Sequence, residues 1–363
     1  MRASATSFYG MILSLAMATI LAVVPAQGQI KQRTIEAKAG EDWHHAQTGV
    51  AMPAALGGFE RQYIRDLTEN GLDVFAQYHG DKGRTRVTLF FYRAAVDSVP
   101  LWFDAANQSL RRNVDFLPDS SEYLSSTFTP PGQSNASGMM AVYSTKGGDF
   151  KSSGVAMMPL NGWLVKIRFS SEELSPEEMA VLLEPMLNDI QWPEKIVSAP
   201  TAVPILSCAG KLKLADKVSR IKPTTTDAII GGLTGALMTE ESPEVEEEAV
   251  VYCRDPQDFG RLSIYRPDET RTGYLLPLGD AGRAASVSIN DIGGLIGGSK
   301  GKRYTPILMR LDQNVIFPDL NKLPTPQTLM AATGDNAAIS SVTTWPLSSG
   351  SNITINVSPD EDQ

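Results

Sequence analysis

Glycine and basic residues gather in residues 293–303 (GGLIGGSKGKR), where they could hold an anion. A glycine-rich backbone can turn several N–H groups toward an anion, and the lysine and arginine side chains add positive charge. The stretch is not a P-loop, because serine stands where that motif needs lysine, and it lacks the dinucleotide fingerprint. We predict either a flexible hairpin loop or a loop for an anionic ligand or partner, formed by Gly293, Gly294, Gly297, Gly298, Ser299, Lys300, Lys302 and Arg303.

The chain has two cysteines, Cys208 and Cys253. Their spacing is not C-x-x-C, so a thioredoxin-like redox role has no support. In an oxidising compartment a lone pair of cysteines is most simply a structural disulfide. For a loop of this length, the chain-entropy model gives a stabilisation of roughly 4 kcal/mol.

The other residue types that carry chemistry form no catalytic or metal motif. The histidines are His44, His45 and His79, and adjacent side chains such as the first two diverge too far to form a metal site together. Ala136 replaces the last glycine of a nucleophile elbow. The acidic run at 240–248 lacks EF-hand spacing, which favours a solvated loop. We predict no catalytic residue, no metal and no cofactor, and leave open a hydrolase that uses two carboxylates.

The net charge is −9, with 41 acidic and 32 basic residues. Nucleic acids and anionic membranes are bound through basic surfaces, so this balance excludes both as expected partners. With 42% hydrophobic and 20% charged residues, the composition is that of an ordinary globular protein.

The N-terminus resembles a cleavable secretory signal. Arg2 precedes an apolar run at residues 8–24, and Ala26 and Gly28 are small residues suited to cleavage after Gly28, or after Ala26 itself. With no cysteine at either cut, we expect no lipoprotein, and no later segment is apolar enough to span a membrane. We expect a periplasmic or secreted protein of a bacterial envelope.

The predicted elements divide the mature chain in two. Proline and small residues at 195–204 suggest an interdomain linker. We predict a signal peptide at 1–28, a polar lead-in segment at 29–50, an α+β domain at 51–194, the linker at 195–204, a β-rich domain at 205–357 and an acidic tail at 358–363.

The first domain alternates strands with amphipathic helices. Period-two alternation predicts a β-hairpin at 72–92, and a helix at 98–112 begins after Ser98. The best-signalled element is a closing helix that starts with a capping box at Ser175 and is interrupted by Pro185.

This order resembles the PsbP-like fold. The resemblance rests on the hairpin, the helix at 98–112, the strand WLVKIRF at 163–169 and the closing helix that ends in IQWP at 190–193. It implies an antiparallel sheet flanked by helices, in a fold that hosts accessory and binding proteins more often than enzymes. No functional residue carries over from it.

The second domain is predicted to be mostly strands. The glycine-rich segment at 230–235 resembles the one at 292–297, which suggests either duplicated hairpin loops or chance similarity. Helical spacing favours two short helices, at 209–218 and 325–332. We predict strands at 250–253, 262–265, 273–276, 285–289, 307–311, 341–345 and 353–357.

Three classes of function remain open on these grounds. The first is an exported, non-catalytic accessory protein that binds another envelope protein. The second is a small-ligand-binding protein that uses the interdomain cleft or the glycine-rich loop. The third is the carboxylate hydrolase. The oligomeric state is left open.

Overall fold

The computed structural model describes residues 32–80, 83–112, 121–145, 148–237, 250–290, 301–334, 336–346 and 352–356. In these residues the chain forms two nine-stranded sheets and a separate two-stranded one. The predicted signal peptide, the acidic run and residues 293–300 lie outside the described residues.

The first large sheet takes its strands from residues 33–171. The elements up to the closing helix are β1 (Arg33–Ile35), β2 (Trp43–His44), β3 (Ala51–Met52), β4 (Ala55–Leu56), β5 (Phe59–Asp66), β6 (Asp73–His79), β7 (Thr85–Tyr92), α1 (Val99–Arg112), β8 (Ser121–Phe128), β9 (Gly138–Ser144), β10 (Ser152–Leu160), β11 (Trp163–Ser171), α2 (Pro176–Val181) and α3 (Leu183–Asp189).

The second large sheet takes its strands from residues 206–355. Its elements are β12 (Leu206–Ser207), α4 (Thr225–Leu237), β13 (Tyr252–Arg254), β14 (Tyr265–Pro267), β15 (Gly273–Pro277), β16 (Ala284–Ile289), β17 (Tyr304–Met309), β18 (Gln313–Ile316), α5 (Pro326–Thr333), β19 (Ser340–Thr343) and β20 (Ile353–Ile355).

Strand order in the first sheet is β1-β5-β6-β7-β11-β10-β9-β8, with β4 also paired to β5. The central strands β7, β11 and β10 pair antiparallel over nearly their whole length. Side chains of a strand alternate between the two faces of a sheet, so each strand here presents a different set of residues to each side. Helix α1 packs on β9 and β10.

The closing helix follows its sequence signals closely. The Ser175 side chain accepts from the Glu178 backbone N–H, and the Glu178 carboxylate accepts from the Ser175 backbone N–H, which completes the capping box. The helix breaks into α2 and α3 at Leu182, three residues before Pro185. Proline lacks an N–H and its ring clashes with the preceding turn, which explains the break.

The second sheet runs in sequence order from β12 to β20, so each strand pairs with the next one along the chain. All of these pairs are antiparallel except β12 with β13. A disulfide with an S–S distance of 2.06 Å joins Cys208 to Cys253, close to where β12 pairs with β13. The predicted antiparallel, β-rich organisation and the predicted disulfide are confirmed.

In the second half, one of the two alternatives for the segment at 230–235 is excluded, and one predicted helix is wrong. The glycine-rich segment at 230–235 lies inside helix α4 and not in a hairpin loop. The segment at 209–218 is not helical: the Cys208 N–H bonds to the Arg254 carbonyl, and the Ala215 N–H bonds to the Leu323 carbonyl. Tertiary hydrogen bonds have overridden the helical spacing of that segment.

Two apolar clusters cover the two faces of the first sheet. On one face α2 and α3 close a cluster that includes Phe91 and Phe169. On the other face α1 contributes the fully buried Trp102 to a cluster that also contains Tyr265 and Ile307 of the second sheet. The two halves of the chain therefore share one core on this side.

Candidate functional site

A cleft with a volume of about 500 Å³ lies where helix α1 and strand β11 of the first half face the second half. Volumes of this size are typical of small-molecule sites. Its polar lining comes from both halves: Gln108, Ser109, Arg168, Arg261, Ser263 and the backbone of Gly279.

Arg168 reaches the cleft because of its register on β11. On this strand Val165, Ile167 and Phe169 point to the apolar cluster under α2 and α3, whereas Leu164 belongs to the core shared with the second half. Side chains two residues apart share a face, so Arg168 points the same way as Leu164, toward the second half. Arg168 is half-buried.

Arg261 lies in the short connection between β13 and β14. Gly260 has a positive φ of 69°, and its N–H donates to the Asp258 side chain at 2.9 Å. A bridge between Phe259 and Leu262 closes the turn. This tight turn leaves Arg261 exposed at the rim of the cleft.

The wall beside the cleft is held by a charged contact between the two halves. Both carboxylate oxygens of Asp104, on α1, lie 2.6 Å from Nη1 of Arg254. The Tyr265 hydroxyl donates to the same carboxylate at 2.8 Å. Charge-assisted hydrogen bonds are about twice as strong as neutral ones, so this contact should fix α1 against β13 and β14.

A second group of charges lies between the halves, deeper than the cleft. Lys166 is almost fully buried, and its Nζ donates to the Asp280 backbone carbonyl at 2.9 Å and lies 3.0 Å from the Asp280 carboxylate. This lysine lowers the pKa of Asp280. Asp73 is completely buried, and Arg283 approaches it only to 3.9 Å. Burial raises the pKa of Asp73 to about 6.

A separate groove of about 380 Å³ runs between residues 199–203 and the segment before β13. Its lining is mainly apolar and includes Pro200, Val203, Val250 and Val251. The three valines each expose half or more of their surface. Residues 199–203, which form one wall, are bound to the loop between β8 and β9, where the Asn135 side chain donates to the Ala199 carbonyl at 2.9 Å.

Of the predicted anion loop, only Lys302 and Arg303 lie in the described part of the chain. Arg303 is buried, and its guanidinium contacts the Asp319 carboxylate at 2.7 Å and the Asp227 carboxylate at 2.9 Å. Its charge is therefore matched inside the fold. The prediction for the remaining residues lies outside the described residues.

The disulfide sits in a polar buried setting. Nε of the buried Arg266 donates to Cys208 Sγ at 3.0 Å, and the same guanidinium lies 3.7 Å from the buried Asp255 carboxylate. Both cysteines are buried. This setting suits a structural bond between the start and the middle of the second half.

The histidines are not brought together. His45 is buried: its Nε2 lies 2.8 Å from the Gly71 carbonyl and its Nδ1 lies 2.8 Å from the Thr48 hydroxyl. Since a carbonyl only accepts, Nε2 carries the proton and Nδ1 accepts from the hydroxyl. Burial lowers the pKa of His45. Among the described residues, no group of three or more potential metal ligands is found.

The charged residues of the cleft were missed in the sequence. Arg168 stands in a strand that the sequence predicted, and its position there places a charge on one face of a central strand. A charged side chain on a central strand of a sheet indicates either a buried ion pair or a functional site. Arg261 lies in an ordinary turn, and nothing in the sequence marks it.

No protein-family model matches the chain, and no curated protein matches it. Among solved structures, it is similar to the cyanobacterial PsbP protein CyanoP from Synechocystis sp. PCC 6803. The match has 10% identity and a TM-score of 0.31, and it covers 43% of this chain and 95% of that one. It agrees with the weak PsbP-like resemblance seen in the sequence, and no functional residue is transferred from it. In the described part of the chain, no helix has the length and apolar character needed to cross a membrane.

Proposed function

We propose that this chain is an exported, non-catalytic binding protein that holds a small anionic ligand in the cleft between its two halves. One observation carries the proposal. Arg168 and Arg261 come from different halves and line the same cleft, and neither guanidinium group has a hydrogen-bond or ion-pair partner among the described residues.

Within the described part of the chain, Arg168 and Arg261 lack the close carboxylate partner that several other arginines have. Other arginines find carboxylates: Arg84 contacts Glu173, Arg254 contacts Asp104, and Arg303 contacts Asp319. The charge of Arg168 contributes to lowering the pKa of Asp280, but the Asp280 carboxylate is bound directly by Lys166. Two guanidinium groups facing one cavity suit a carboxylate, sulfate or phosphate group.

The remaining lining supports binding more than catalysis. The described lining residues of the cleft include no aspartate or glutamate, so carboxylate hydrolysis has no support at this position. Gln108, Ser109 and Ser263 offer neutral hydrogen-bonding groups that could orient a ligand. Support for export comes from the signal-like N-terminus and the disulfide.

The first test is native mass spectrometry of the chain exported through a bacterial periplasm and purified gently. A small, discrete mass increment would reveal a bound ligand, which can then be identified. Isothermal titration with sulfate, phosphate and citrate follows. We expect Arg168→Ala and Arg261→Ala each to weaken anion binding by about tenfold or more, from the loss of a charge-assisted hydrogen bond.

Arg271→Ala is the matched control, because it removes an exposed arginine of the second half that does not line the cleft. It should leave anion binding unchanged. The proposal is wrong if the exported protein carries no ligand and binds none of the anions. It is also wrong if all three variants weaken binding equally, since that would indicate a nonspecific charge effect.

A second candidate is favoured by the apolar groove. Val203, Val250 and Val251 are exposed side by side along it, and exposed apolar patches often mark surfaces that bind other proteins. On this alternative the chain is an accessory protein of another envelope protein. Cross-linking in the periplasm, compared between the wild type and a Val251→Asp variant, separates this function from ligand binding in the cleft.

A further inference from the structure

The turn between β15 and β16, residues 278–283, inserts into the face of the first sheet. The Ala95 N–H donates to the Gly282 carbonyl at 2.8 Å. Gly282 has a φ of 83°, and a Cβ there would lie 2.9 Å from the Arg93 carbonyl oxygen. Glycine is therefore required both for the backbone conformation and for the close approach.

Two ionic contacts hold the same turn. Lys166 binds the backbone and the carboxylate of Asp280, as described above. Arg283, at the end of the turn, faces Asp73 on β6. Pro277 and Gly279, at the start of this turn, line the cleft that contains Arg168. The position of one cleft wall therefore depends on how firmly this turn is docked.

Asp73 is the unusual member of this contact. It is completely buried, and neither of its carboxylate oxygens has a hydrogen-bond partner among the described residues. Arg283 and Lys166 favour its charged form, whereas Asp280 and Asp66 oppose it. Burial outweighs the two cations, so the pKa of Asp73 lies near 6 while the turn is docked.

Docking of the β15–β16 turn is linked to protonation of Asp73, because undocking changes the pKa of this residue. When the turn leaves the sheet, Asp73 regains water and its pKa returns toward the ordinary value of 3.8. The docked state then binds a proton more tightly than the undocked state. Protonation must stabilise the docked turn by the same linkage, and docking weakens as the pH rises from about 3.8 to about 6.

We propose that the β15–β16 turn is a proton-sensitive latch that closes the wall of the cleft more firmly as the compartment becomes acidic. The latch is carried by the buried, unpartnered carboxylate under the turn. Its effect on ligand affinity rests on the proposed function of the cleft, whereas the latch itself does not.

Hydrogen exchange of the wild-type chain tests the latch without any ligand. The reporters are the Ala95 amide and the amides of residues 278–283. After correction for intrinsic exchange, we expect their protection to be about tenfold higher at about pH 5 than at about pH 7.5. Equal protection at the two pH values would overturn the proposal.

The same exchange experiment on the Asp73→Asn variant is the second test, because asparagine has the shape of aspartate and cannot ionise. This variant should show high protection at both pH values. Asp216→Asn is the matched control: Asp216 is exposed in the second half, and its variant should retain the pH dependence of the wild type. If Asp73→Asn keeps that dependence too, another group carries it and the proposal fails. If the variant does not fold, the wild-type profile still decides.

Titration with sulfate then tests the coupling to the cleft, because sulfate keeps its charge across this range. We expect sulfate to bind more tightly at about pH 5 than at about pH 7.5 in the wild type, by at most about tenfold, and equally in Asp73→Asn. pH-dependent protection without sulfate binding would leave the latch standing and count against the proposed ligand. Unchanged sulfate affinity in a wild type that binds it would overturn the coupling.

Discussion

Phe90 and Phe91 are neighbours on strand β7, and their side chains lie on opposite faces of the first sheet. Phe91 is fully buried in the apolar cluster under α2 and α3. Phe90 is half-buried on the face toward the second half, with the Lys166 ammonium 4.4 Å from the centre of its ring.

The two faces differ in more than this pair. The cluster under α2 and α3 is made of apolar side chains such as Val165 and Ile167. On strand β11 the opposite face carries Lys166 and Arg168 beside the apolar Leu164. Burying ionisable groups costs free energy, so proteins concentrate them where they serve a function more often than where they serve stability. This contrast supports the proposed ligand site on the face toward the second half.

The largest effect should come from truncating the two rings. We expect Phe91→Ala to lower the free energy of unfolding by about 3–5 kcal/mol, because it leaves a cavity in a closed apolar core. Phe90→Ala should cost less, about 1–2 kcal/mol, since solvent can reach its site. Urea denaturation of both variants measures the difference. Equal losses would mean that the two faces are equally packed, contrary to this comparison.

The next effect concerns the contact between the halves. We expect Asp104→Ala to lower the free energy of unfolding by about 2–3 kcal/mol, because it removes the carboxylate that accepts from both Arg254 and the Tyr265 hydroxyl. A double-mutant cycle with Arg254→Ala isolates the pair. A coupling energy near zero would show that this contact does not hold α1 against the second sheet.

The smallest effect is a pH dependence at His45. Its pKa is lowered in the folded state from 6.5, so the stability it contributes is present above that pH and is lost as the pH falls. His45→Gln should cost about 1–2 kcal/mol at about pH 8, through weakened hydrogen bonds to Thr48 and Gly71. The difference in stability between His45→Gln and the wild type should become smaller as the pH falls, and thermal denaturation at several pH values measures it. A difference that grows would contradict the direction of this shift.

His45 and Asp73 both make the stability of the fold depend on pH. Acidification weakens the fold through His45 and strengthens it through Asp73, so the two contributions oppose each other. In global denaturation, the difference between a variant and the wild type at each pH separates the two contributions, whereas exchange of the amides of residues 278–283 reports on the turn itself.

Much of the local structure could be predicted because its signals are local. The capping box at Ser175 and the break caused by Pro185 act within one or two helical turns. The disulfide between Cys208 and Cys253 followed from there being a single pair. The alternation along β6 and β7 reflects a period that is independent of the partner strand.

Helix α4 shows where local signals mislead. Its glycines suggested loops, but Gly231 and Gly235 let the helix lie directly on the second sheet. A Cβ at Gly231 would be 3.0 Å from Ile316, and one at Gly235 would be 3.1 Å from Val342. One sequence signal pointed to the helix: Thr224 and Asp227 exchange hydrogen bonds like those of a capping box.

The sequence by itself determined the period of each strand, the caps of the closing helix and the one possible disulfide, because these depend on residues close in the chain or on a unique pair. Only the tertiary structure decided the site. Arg168 lines one cleft together with Arg261, and Asp73 lies 3.9 Å from Arg283, although each pair is far apart in the chain. Such proximity depends on how two sheets pack around one shared core, and no spacing within a single strand or turn records that packing.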